Sequence, residues 1–117
     1  MGQVDLSDYK TLYIQTAREY IGKISASLDQ LSNDVLDKEA LNSLHIASHS
    51  LRSQSQVMGF ADIANICLSI ERMADDALKG TIQLNNESIP EIKKSVAKLT
   101  EILKLIQDDT GAKVWRY

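Results

Sequence analysis

A single cysteine, Cys67, among 117 residues excludes an internal disulfide and a zinc site built from several thiolates, and it fits a reducing compartment. One proline, Pro90, and five glycines leave long stretches in which nothing interrupts a helix. Aromatic residues make up only 5% of the chain and β-branched runs are short, so strands have little support. No apolar run approaches the ~20 residues of a membrane span. The opening MGQVDLSDYK has neither the basic nor the apolar region of a secretory signal. Positive charge is not in excess: 13 Lys+Arg against 16 Asp+Glu give a net charge of -3, which argues against nonspecific DNA or RNA binding. The expectation is a small cytoplasmic domain with neither a membrane nor a nucleic acid as partner. The familiar chemical motifs are missing too. There is no Gly-rich phosphate loop, no G-x-S-x-G and no H-E-x-x-H, so no cofactor and no ATP site are expected.

What remains is helical periodicity. A first segment over Asp8–Leu31 places Tyr9, Leu12, Tyr13, Ala17, Tyr20, Ile21, Ile24, Leu28 and Leu31 at spacings of three and four. Ser32-Asn33-Asp34 is a turn cluster. A second segment over Lys38–Met58 has Asp37 as N-cap, Glu39 in its first turn and a seam of Leu41, Leu44, Ser48, Leu51, Ser55 and Met58. The two small serines permit close approach of a neighbour. Gly59 is placed as a helix C-terminal glycine. A third segment over Ala61–Lys79 has Ile63, Ala64, Cys67, Ile70, Ala74 and Ala77 as its seam and ends at Gly80. A fourth over Ile89–Asp108 opens on Ser88 and Glu91 as a capping box, with Pro90 in the first turn. Its stripe is Ile92, Val96, Leu99, Leu103 and Ile106. Four amphipathic segments with short loops predict an all-α, antiparallel up-and-down four-helix bundle over residues 1–108. Residues 109–117 read as a tail, in which Trp115 docks on the bundle, or as the start of a linker.

The two histidines, His45 and His49, lie four apart on the second segment and so share a face. That face continues through Arg52 and Gln56 beside the apolar seam, which leaves His49 reachable from water. Histidines at this spacing can chelate a transition metal if a third ligand such as Glu71 or Asp75 joins them. The sequence supplies no complete ligand set, and no metal is expected. A di-iron site needs Glu three residues before each histidine, where this chain has Asn42 and Ile46.

The string His49-Ser50-Leu51-Arg52-Ser53-Gln54-Ser55-Gln56-Val57-Met58-Gly59-Phe60 resembles the core of histidine-containing phosphotransfer (HPt) domains. Those domains carry His, any residue, Leu, Lys or Arg, a small residue, and Gly-Phe ten residues after the His. The following IANICLSIERMADD is similar to the family's next helix, and Glu71 falls where that helix carries an acid. The opening DLSDYKTLYIQTAREYIGKISASLDQL is similar to the first helix of the N-terminal phosphotransfer domain of CheA-type chemotaxis kinases. The chain departs from the pattern at three places. Arg52 stands for the usual Lys, Ser53 for the usual Gly, and Leu68 where CheA domains commonly have a second histidine.

The resemblance implies a phosphocarrier. His49 would accept phosphate through Nε2, and Glu71 would accept the Nδ1–H and fix that tautomer. Arg52 would offset the phosphate charge, and Gln56 would add a further phosphate contact. The phosphate would come from the ATP-binding domain of a kinase and leave to an aspartate of a CheY-like receiver. The domain alone would carry phosphate without being a kinase, although the parent protein could be one. The partner-docking ridge would comprise His45, Ser53, Gln56, Met58, Gly59 and Ala64. An HPt-like adaptor that binds receivers or kinase without carrying phosphate is the alternative.

Overall fold

The computed structural model describes residues 6–108. Four helices follow one another: α1 (Leu6–Asn33), α2 (Lys38–Met58), α3 (Ala61–Lys79) and α4 (Ser88–Asp108). Each packs on its sequence neighbour, and α4 closes on α1, the arrangement of an up-and-down four-helix bundle. The tail with Trp115 lies outside the described residues.

The predicted seams face inward. Ile24, Leu28, Leu31, Leu44, Leu51, Ile70, Leu99 and Leu103 are buried together in one core. The buried serines avoid a desolvation penalty by bonding within the protein. Ser48 Oγ donates to the Leu44 carbonyl at 2.7 Å. Ser55 Oγ pairs with the Tyr13 hydroxyl at 2.7 Å, which ties α2 to α1. Cys67 is fully buried, and burial pushes its thiol up to about 12.

Two readings of the first helix are corrected. Tyr9 and Leu12 are exposed, at 53% and 60%, whereas Ile14 is buried. At 100° per residue, the stripe from Ala17 to Leu31 runs through Ile14, and Leu12 lies roughly 145° from its centre. The fourth helix is also capped differently from expectation. Asn85 Oδ1 accepts from the backbone N–H of Ser88 at 2.9 Å, and Ser88 Oγ accepts from the N–H of Asn85 at 3.2 Å. The reciprocal pair is therefore Asn85 with Ser88, one turn before Ser88 with Glu91, and Glu91 instead pairs with Lys94. Asp37 caps α2 as expected, accepting from the Ala40 N–H at 3.1 Å.

The turn between α2 and α3 sets the register of the site. Gly59 adopts φ 81°, a left-handed conformation that a side chain disfavours. Its N–H donates to the Gln56 carbonyl, and the N–H of Phe60 donates to the Ser55 carbonyl at 2.8 Å. This double bond pattern closes the helix and reverses the chain within two residues. Phe60 then packs on the core and meets Tyr13 with ring centroids 5.0 Å apart. The Gly-Phe pair thus has a physical reason: glycine for the backbone, phenylalanine to anchor the turn.

Candidate functional site

His49 lies ten residues before Gly59, and Glu71 lies ten residues into α3. At 1.5 Å per residue, both sit about 15 Å from the turn on antiparallel helices, which brings them level. Their side chains meet. His49 Nδ1 stands 2.8 Å from Glu71 Oε2. The His49 side chain is 52% exposed, whereas the Glu71 side chain is only 13% exposed. An exposed ring is therefore held by a sunken acid.

Arg52, one turn after His49, grips the same acid. Its Nε donates to Glu71 Oε1 at 2.5 Å and its Nη2 to Oε2 at 3.3 Å, a two-point fork. Nη1 donates to Gln56 Oε1 at 3.3 Å. Burial alone would raise the Glu71 carboxyl, but the hydrogen bonds from Arg52 and His49, with their charges, outweigh it and hold the group below its usual value. The same bond raises the Arg52 guanidinium. Glu71 is thus a fixed carboxylate with one oxygen turned to the imidazole. A ring whose Nδ1–H donates to that oxygen leaves the lone pair on Nε2, and no described residue hydrogen-bonds Nε2.

The structure bears on two further residues of the sequence reading. Gln56, which the resemblance implies as a further phosphate contact, accepts from Arg52 through its amide oxygen. Ala64 was expected on the docking ridge, yet it is buried at 4% because it lies on the α3 seam beside Ile63 and Cys67. Gln56 and Gly59 are exposed, Ser53 and His45 are partly exposed, and Met58 is half-buried against the core. Sequence reasoning missed the exposed Ile46 and Val57, at 60% and 86%. Their signal was an apolar residue off the seam, and both lie on the side of α2 that borders α1, Ile46 beside Tyr20 and Lys23 and Val57 beside Tyr9 and Leu12. Leu68, where a second histidine was compared, is partly buried in α3.

His45 repeats the pattern one turn earlier. Its Nε2 lies 4.0 Å from Asp75 Oδ1, and Asp75 pairs with Lys79 at 2.9 Å. The two imidazoles are parallel, with centroids 6.4 Å apart, and each turns to its own acid. They do not converge on a shared point as chelating histidines would. Among the described residues no group of three or more His, Cys, Asp or Glu is arranged to hold a metal ion.

The profile described as "Hpt domain" matches residues 8–104. The chain belongs to the Hpt domain family. Among curated proteins, this Hpt domain is 28% identical over 86 residues to the chemotaxis protein CheA of Salmonella typhimurium, which covers 74% of the chain. It is 21% identical over 110 residues to CheA of Bacillus subtilis, covering 94% of the chain. The chain spans only 13% and 16% of those two CheA proteins. Among solved structures, the CheA phosphotransferase domain from Thermotoga maritima superposes with a TM-score of 0.83 at 23% identity, covering 88% of this chain and 98% of that one. A solution structure of the histidine phosphotransfer domain of CheA gives 0.84 at 21% identity, covering 97% of this chain and 85% of that one. These structures bear out the four-helix bundle. The Hpt domain is thus related to the CheA phosphotransferase domain. Among the described residues no helix is long and apolar enough to cross a membrane.

Proposed function

We propose that this Hpt domain carries a phosphoryl group on Nε2 of His49. The group is received from the ATP-bound domain of a histidine kinase and handed to an aspartate of a CheY-like receiver. The observation that carries this reading is the 2.8 Å pair between Nδ1 and Glu71 on a ring whose other nitrogen is open. In the receiving step the Nε2 lone pair forms a bond to the γ-phosphorus, and the bond from that phosphorus to the β,γ-bridging oxygen breaks, so that ADP leaves with the electron pair. The imidazole gains positive charge as it attacks, and the Glu71 carboxylate stabilises it through the Nδ1–H. Arg52 adds positive charge beside the transferred oxygens. Delivery to the receiver reverses the first bond change, with a carboxylate oxygen as nucleophile.

The reading is tested by incubating wild type and His49→Gln with the cognate kinase and labelled ATP. Acid-labile label is expected on wild type alone. Equal labelling of the two proteins sinks the assignment. Receiver binding without any acid-labile label on wild type points to the adaptor reading instead.

A further inference from the structure

Two hydrogen bonds at His49 are mutually exclusive. Glu71 Oε2, 2.8 Å from Nδ1, can only accept, so it requires Nδ1 to carry the proton. Arg52 Nη2, 3.0 Å from the same Nδ1, can only donate, so it requires Nδ1 to carry the lone pair. The ring cannot satisfy both in one tautomer. In the first tautomer Nε2 is a nucleophile. In the second Nε2 bears hydrogen and is not.

We propose that Arg52 is a positioning residue that competes with Glu71 for His49 Nδ1, holding part of the imidazole in its unreactive tautomer until an anion draws the guanidinium away. The inference rests on the phosphocarrier reading above and adds a control to the same site. The geometry supplies the means. Nη2 is divided between Glu71 Oε2 at 3.3 Å and Nδ1 at 3.0 Å, while Nε keeps its own bond to Oε1. Rotation of the outer guanidinium edge toward phosphate oxygens therefore removes the donor facing Nδ1 without releasing the carboxylate. Nε2 then loses its proton to water, Nδ1 takes one from water and donates it to Glu71, and Nε2 is left with the lone pair as the phosphoryl group arrives; the half-exposed ring allows both exchanges. A lysine at this position has one ammonium point and could not hold the acid with one nitrogen while facing the ring with another.

The test is the tautomer itself. Long-range proton–nitrogen correlation spectra of the full, nitrogen-15-labelled chain at about pH 8.5, where imidazoles are ordinarily neutral, report the ratio of Nδ1–H to Nε2–H in His49. Wild type is expected to show both forms. In Arg52→Ala the ratio is expected to move at least about fivefold toward Nδ1–H, equivalent to about 1 kcal/mol. In Glu71→Ala it is expected to move the opposite way. An unchanged ratio in Arg52→Ala, or a move toward Nε2–H, overturns the proposal and makes Arg52 merely the anchor of Glu71. Circular dichroism of each variant confirms that the bundle is intact. The readout needs no kinase, so failed labelling in the His49→Gln comparison would sink the carrier reading and leave this result standing.

Discussion

Glu71 is the residue through which the site is coupled to pH. Its folded carboxyl is held below its usual value, so the cluster stabilises the fold above the ordinary carboxylate range. That contribution is lost as pH falls through the folded value. Thermal unfolding of wild type and Glu71→Gln between pH 7 and 3 should show wild type the more stable at neutral pH, with the gap closing toward acid. The same substitution is expected to slow phosphoryl acceptance about 10- to 100-fold, by analogy with groups that orient a histidine from behind. The buried Tyr13 and Cys67 work at the other end of the scale, since burial pushes both to about 12. Their protonated forms are those of the fold, so stability is full below about pH 9 and declines as pH rises toward 12. Urea midpoints across that range should fall, less steeply in Cys67→Ala. Of the polar cluster, His49, Arg52 and Glu71 were legible from spacing and resemblance. The partner of Gln56 was not, because it depends on where Arg52 turns its guanidinium, and that is decided by an acid on another helix.

The helices obey local rules that can be checked one end at a time. Asp37→Ala removes the side-chain acceptor for the Ala40 N–H and should cost about 1 kcal/mol in denaturant unfolding. A Cβ at Gly59 would meet nothing within 4 Å, so Gly59→Ala should cost only its backbone strain, about 1–2 kcal/mol. Helix boundaries were readable because capping residues and glycines mark them. The interior of α1 is less legible because spacings of three and four do not fix the angle around the helix. Two adjoining stripes share those spacings, and only the angle shows that Ile14 belongs to the core and Leu12 does not. The α4 cap is ambiguous in sequence because Asn85 and Ser88 both favour such positions, and the choice between them depends on how the loop after Gly80 returns.

For the molecule as a whole, the proposed phosphoryl exchange would require a partner group within bonding distance of Nε2. A standard interface covers about 800 Å² on each partner, a patch whose radius is about 16 Å. Val57, eight residues along α2 from His49, is displaced by about 12 Å along the helix axis and falls inside that footprint. Because it is 86% exposed, Val57→Asp should change stability by less than about 0.5 kcal/mol. It should slow label transfer to the receiver about tenfold while leaving the hydrolysis rate of isolated phosphohistidine unchanged, as followed by stopped reactions on gels. One residue of the expected docking ridge is not on the surface. Ala64 is expected both on the α3 seam and on the ridge, since an alanine fits a seam and a surface equally well, and its burial assigns it to the seam.

His49 and Glu71 are 22 residues apart along the chain, with a two-residue reversal between their helices. The entropy of closing so small a loop grows only with the logarithm of its length, and contacts this local form early and re-form fast. Fluctuations that peel α1 or α4 away can therefore leave the α2–α3 hairpin paired, which separates the lifetime of the His49–Glu71 pair from that of the complete bundle.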